Sequence, residues 1–167
     1  MKYYVLLLIA FMVFNTSKAQ DIFSYAKTNN LKEVSKHKAE INTKNPQGYT
    51  PLILAVYSNN YKTSKFLLDN GAQPDAQDNS GNTALMGAVF KGYYEMVELL
   101  LLYKASINMK NYNGATALIY AAVFGKNEIL RLLLENGANK NIQDNRGKTA
   151  YQHALIQNNV AGVKLLE

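Results

Sequence analysis

The chain contains no cysteine. No disulfide can staple it, no thiol can serve as a nucleophile, and no cysteine–zinc site can form. Exported small domains often rely on disulfides because their cores are small, so any core here must form by packing alone. That absence sits more easily in a bacterial envelope than in a eukaryotic secreted protein. Histidine is scarce too: His37 and His153, far apart in the sequence, are the only two. They are placed to share neither a metal nor a proton relay, and each is expected at the surface. No Ser–His–Asp order, zinc-ligand spacing, glycine-rich phosphate loop or calcium loop is visible. Long apolar runs are also missing. A membrane-spanning helix needs roughly 20 apolar residues, whereas the run Val5 to Phe14 has ten.

That short run follows Lys2 and precedes Ser17-Lys18-Ala19, with small residues three and one before a cut. A basic start, a short apolar stretch and a small-residue site make the layout of a secretory signal peptide, residues 1–19, cleaved between Ala19 and Gln20. The alternative is retention as an anchor, for which the run is short. No cysteine follows Ala19 to carry a lipid. The expected location is therefore periplasmic or secreted, with no stable membrane anchor after cleavage. Eighteen Lys and Arg stand against twelve Asp and Glu in the full chain, a net +6, and loss of Lys2 and Lys18 leaves sixteen against twelve, a net +4. Mild positive charge of this kind serves solubility. The lysines are scattered rather than clustered, so no nucleic-acid partner is expected.

What the chain does have is repetition. Gly48-Tyr49-Thr50-Pro51-Leu52, Gly81-Asn82-Thr83-Ala84-Leu85, Gly114-Ala115-Thr116-Ala117-Leu118 and Gly147-Lys148-Thr149-Ala150-Tyr151 follow one another at intervals of 33 residues. A fixed period of this length signals stacked supersecondary units. Each column has a physical reason. Asn45, Asp78, Asn111 and Asp144 precede the glycines by three residues and can close a turn with a side-chain oxygen. The glycines suit a left-handed turn position. The threonines fit helix N-caps, and Pro51 fits the first helical position, where its missing N–H costs nothing. Ala55, Ala88, Ala121 and Ala154 let neighbouring helices approach. Asn59, Gly92, Gly125 and Asn158 tolerate the left-handed conformation that ends a helix. A second helix follows, carrying Phe66-Leu67-Leu68, Leu99-Leu100-Leu101, Leu132-Leu133-Leu134 and Leu165-Leu166.

The pattern resembles the ankyrin repeat family, whose motif runs through a turn acid, Gly-x-Thr-Pro-Leu-His, an alanine pair, a glycine, a leucine triplet and Gly-Ala. Asp78, Gly81, Thr83, Leu85, Ala88, Gly92, Leu99 to Leu101 and Ala105 match it. The resemblance implies an all-α fold, a solenoid of stacked helix-turn-helix units with hairpin-like turns. It divides the chain after the signal peptide into an N-terminal capping unit (20–44), repeats at 45–77, 78–110 and 111–143, and a C-terminal capping repeat (144–167). The sequence departs from the family in three places. Ile53, Met86, Ile119 and Gln152 stand where the family has histidine, so that column should rely on apolar packing. Lys104 replaces a glycine at a helix end, where strain is expected. Thr63-Ser64 replaces the apolar pairs Met96-Val97 and Ile129-Leu130, so looser packing is expected there.

The resemblance further implies a non-catalytic scaffold that binds another protein through its turn tips and the concave face of its first helices. Projected onto this chain, the partner-binding residues are Tyr49, Asn79, Ser80, Asn82, Tyr112, Asn113, Arg146 and Lys148 at the tips, with Tyr57, Phe90, Lys91 and Phe124 at the helix ends. The column Tyr57, Phe90, Val123, Ile156 is apolar in every repeat; it is either partly buried between helices or an exposed stripe. Exposed aromatics beside Arg or Lys are typical interface anchors. No cofactor or metal is expected, and the chain is expected to be a monomer. A narrower reading is an inhibitor, immunity or chaperone-like accessory of an exported enzyme or toxin. Two remote alternatives are an enzyme, with Glu95, Glu98 or His153 as its acid or base, and a carrier holding a small ligand in its groove.

Overall fold

The structure, a computed structural model, describes residues 22–167. The expected signal peptide and its cleavage site lie outside the described residues. Among the described residues there are helices and turns and no strand. They divide into two compact units, one running to Ala72 and the other spanning Gln73–Glu167.

The first unit contains α1 (from residue 22 to 27), α2 (Leu31–Val34), a 3-10 turn (Lys38–Glu40), α3 (Pro51–Tyr57) and α4 (Tyr61–Asp69). The second is a succession of helix pairs: α5 (Ala84–Lys91) with α6 (Tyr94–Leu102), α7 (Ala117–Val123) with α8 (Asn127–Glu135), and α9 (Ala150–Ile156) with α10 (Val160–Leu166). Each pair packs internally, and α5, α7 and α9 pack in sequence against one another.

Local chemistry starts and stops these helices. Thr50, Thr83, Thr116 and Thr149 are extended, and each hydroxyl accepts the amide N–H three residues on, starting α3, α5, α7 and α9. Pro51 occupies the first turn of α3. Gln152 reaches back to the Thr149 amide, completing a reciprocal cap on α9. The first helix of each pair ends in a left-handed residue: Asn59 (φ 56°), Gly92 (φ 78°), Gly125 (φ 63°) and Asn158 (φ 53°). Asn29 (φ 58°) does the same after α1, thirty residues before Asn59, where the repeat is shortened by three. Lys104 is left-handed as well (φ 62°), at the end of α6 where glycine was expected.

The core of each unit draws on the repeating columns. Leu52, Leu85 and Leu118, then Ala55, Ala88 and Ala121, then Leu67, Leu100 and Leu133 are all fully buried. The column that holds histidine in the family is buried at Ile53, Met86 and Ile119, as apolar packing requires. Full burial of such side chains stabilises by ~1.5–3 kcal/mol each. In the first unit Ile22, Phe23, Ala26, Val34 and Ile41 are buried as well.

Two expectations need correction. Thr63 and Ser64 are not loosely packed: both are fully buried. Thr63 donates its hydroxyl to Asn29 Oδ1 at 2.7 Å, which offsets the cost of burying it. Ser64 Oγ is buried without a hydrogen-bond partner among the described residues. The histidines are not surface residues either. Each is half-buried and sits against a carboxylate, His37 Nδ1 at 3.2 Å from Glu40 and His153 Nε2 at 2.8 Å from Asp144.

Candidate functional site

The turns that precede α3, α5, α7 and α9 are closed twice over. In the backbone, Asn45 donates to the Tyr49 carbonyl (3.0 Å), Asp78 to Asn82 (2.9 Å), Asn111 to Ala115 (3.0 Å) and Asp144 to Lys148 (3.0 Å). In the side chains, one Oδ1 at each of these positions accepts the amides two and four residues on. Asn serves as well as Asp because only an oxygen acceptor is needed.

Within Gln73–Glu167 the tips are also tied to one another. The Tyr112 amide donates to the Ser80 carbonyl (3.2 Å) and the Asn145 amide to the Asn113 carbonyl (3.0 Å). Asn145 Nδ2 adds a bond to the Tyr112 carbonyl at 2.9 Å. Gly81 and Gly114 lie under these crossings. A Cβ on Gly81 would stand 2.7 Å from the Tyr112 nitrogen, and one on Gly114 would stand 2.8 Å from the Asn145 nitrogen. Both positions therefore need glycine for close approach as well as for their positive φ.

A second set of ties comes from the helices. Tyr120, on α7, donates its hydroxyl to Asn82 Oδ1 (2.9 Å) and lies 3.2 Å from Asn111 Nδ2. Asn111 Nδ2 donates to the same Asn82 oxygen at 2.9 Å. One repeat later, His153 on α9 meets Asp144 in the equivalent position. Burial raises the Tyr120 phenol above its ordinary value; the Asn111 contact opposes this and the charge of Asp78 adds to it. Burial also pushes the Asp144 carboxyl up, but the Lys148 amide, the His153 ring and the Arg146 amide outweigh it, and the group is held below its ordinary value.

Beside these ties is an open cleft of about 310 Å³, lined by Asn113, Ala115, Ile119, Tyr120, Val123, Phe124, Asp144, Asn145, Arg146 and His153. One wall is aromatic. Phe124 meets Phe90 edge-on at 4.8 Å between ring centroids and Tyr120 at 5.7 Å. Phe90 and Phe124 remain 40% and 42% exposed. Lys91 Nζ stands 5.7 Å from the Phe90 ring centre, within cation–π reach.

The residues projected as partner-binding are thus distributed unevenly. Phe90, Lys91 and Phe124 come together at the ends of α5 and α7. Tyr112 projects from its tip, 67% exposed, with Asn79, Ser80, Asn113 and Arg146 also exposed at tips. Lys148 is half-buried, and Asn82 has both ends of its carboxamide engaged, Oδ1 with Tyr120 and Asn111 and Nδ2 with Asp78 at 3.4 Å. In the first unit, Tyr49 and Tyr57 are half-buried against each other, 6.0 Å between centroids. The column that could be buried or exposed is mixed: Tyr57 and Val123 are half-buried, Phe90 and Ile156 exposed.

Sequence reasoning missed Tyr120 and the pairing of His153. The available signal was position: both stand nine residues after a turn-closing Asn or Asp, and 33 residues from each other. Glu95 and Glu98 are exposed on α6, away from the cleft's lining. Among the described residues no group of three or more His, Asp or Glu is placed to hold a metal, and no helix is long and apolar enough to cross a membrane.

The family model described as ankyrin repeats (3 copies) matches residues 22–111 and again 101–167. The chain belongs to the ankyrin repeat family. Repeats of this family typically mediate protein–protein interaction rather than catalysis. No curated protein matches the chain.

Proposed function

We propose that the chain is a non-catalytic scaffold, exported from the cytoplasm, that binds a protein partner through the ends of α5 and α7 and the adjoining turn tips. The observation that carries this reading is the Phe90–Phe124 pair. Two phenyl rings are held in edge contact yet stay two-fifths exposed, between Lys91 and the Arg146-lined cleft. Core packing would have covered them; a desolvating partner gains from finding them pre-ordered. The rigid tips serve the same end, because turns already closed by Asn111 and Asp144 lose little entropy on docking. Three repeats, 45–77, 78–110 and 111–143, between capping units at 20–44 and 144–167, form the scaffold in this reading. Residues 1–19 direct its export, and the mature protein begins at Gln20.

The test is affinity capture from the envelope fraction of the source organism, comparing the natural chain with F90A/F124A and with Y49A/Y112A. Loss of a specific partner in F90A/F124A is expected, since truncating a central aromatic anchor costs ~2 kcal/mol or more. Equal capture by all three proteins would remove this surface from consideration. Amino-terminal sequencing of the same purified material should read from Gln20, and an intact Met1 would refute export by cleavage.

A further inference from the structure

Carboxylates in the Gln73–Glu167 unit are unevenly placed, whereas cations such as Lys91 and Arg131 occur on first and second helices alike. The turn acids are engaged internally. Asp78 Oδ1 accepts the Ser80 and Asn82 amides at 2.8 Å each, and Asp144 accepts from the Arg146 and Lys148 amides at 2.9 Å each and contacts His153. Asp75 is bonded to the Ser106 amide and hydroxyl. The exposed glutamates Glu95, Glu98, Glu128 and Glu135 lie on the second helices α6 and α8, and Glu167 follows α10. Glu128 lines a separate cleft together with Lys91 and Lys126. The first helices α5, α7 and α9 carry no carboxylate at all. Two exposed cations flank the aromatic pair, Lys91 at the Phe90 end and Arg146 lining the cleft with Phe124, where the Asp144 carboxylate is already engaged.

Resting on the scaffold reading, we infer that the cleft between Phe124 and Arg146 receives an acidic peptide segment, one apolar side chain against Phe90 and Phe124 flanked by carboxylates directed to Lys91 and Arg146. Charge complementarity selects this partner. The cleft walls Ala115, Ile119, Val123 and Phe124 offer apolar contact, and the exposed Asn113 among the lining residues has a carboxamide suited to a peptide backbone. A guanidinium suits a carboxylate because its planar fork can donate two parallel hydrogen bonds. The positive charges of Lys91 and Arg146 should raise the encounter rate with an acidic segment, and salt should screen that gain. A basic segment would bring like charge to both ends of the aromatic pair, which disfavours it.

Fluorescence anisotropy on the full-length protein tests this with defined probes. The first is a short labelled peptide alternating Glu with Leu and Phe; the second carries Lys at every Glu; the third is a single-stranded oligonucleotide, which also combines negative charge with stacking surface. The acidic peptide should bind saturably and weaken with salt, and the basic peptide and the oligonucleotide should bind at least about tenfold more weakly. F124A, K91E and R146E should each weaken the acidic peptide at least about tenfold, with circular dichroism unchanged because all three side chains are exposed. Equal binding of the two peptides, tighter binding of the oligonucleotide, no saturable binding of the acidic peptide, or indifference to R146E would overturn the inference. If natural-partner capture is lost in F90A/F124A but survives R146E, the acidic specificity fails while the scaffold reading stands.

Discussion

At the residue scale, the interactions that define this chain are single polar side chains holding turns. Asp144 combines a turn closure with the His153 contact, and its carboxyl is held below the ordinary aspartate value of 3.8. A carboxylate whose folded value is depressed adds stability that is fully present above the unfolded value and is lost as pH falls through the folded one. Asp144→Asn keeps the Oδ1 acceptor that Asn45 and Asn111 supply in their own turns, but it loses the charge beside His153. We therefore expect D144N to be less stable than the natural chain at neutral pH. The difference should shrink as the pH drops below 3.8, where only the natural chain loses this contribution. Urea midpoints across an acidic pH series measure it, and parallel curves for the two proteins would contradict the assignment. Thr caps, left-handed Asn and Gly stops and turn acids could all be read from the sequence, because each acts within four residues of itself and recurs at 33. Tyr120 and His153 could not. They interrupt a column that otherwise holds Leu54 and Gly87, and a periodic reading averages such departures away.

At the element scale, the helix ends show where local sequence and repeat geometry disagree. The repeat demands a left-handed residue after α4, α6 and α8, and Gly71 and Gly137 supply it at φ 89° and 87°. Lys104 adopts φ 62° in the same role after α6, where a Cβ is disfavoured. Its side chain is exposed, so little packing is lost on removing it. Lys104→Gly should raise stability by about 0.5–1 kcal/mol, relief of strain outweighing the greater freedom of glycine when unfolded. A chemical-denaturation midpoint lower than that of the natural chain would show the strain to be absent. Element packing was less legible at Thr63 and Ser64. Polar residue types on α4 suggested a loose helix, but burial is set by column position, and Thr63 meets its need through Asn29 on the neighbouring turn. The short second helix of the first unit, only Leu31–Val34 followed by the turn Lys38–Glu40, likewise depends on the shortening of that repeat.

At the scale of the molecule, family and helical architecture follow from the 33-residue period, because one period carries a complete set of start, stop and packing instructions. The proposed binding face was legible only in outline. Projection from the family nominated Asn82 and Phe90 alike, and the structure separates them: Asn82 is engaged within the chain, while Phe90 and Phe124 are paired and open. In the proposed function, this open pair is where the protein meets its partner. Site-specific photo-crosslinking in the source organism tests it most directly, with a photoreactive residue at Phe124 in one protein and at Leu102, 72% exposed at the end of α6, in another. A discrete adduct is expected from position 124 and none from position 102; an adduct from 102 alone, or from neither, would rule out the aromatic pair as the docking site.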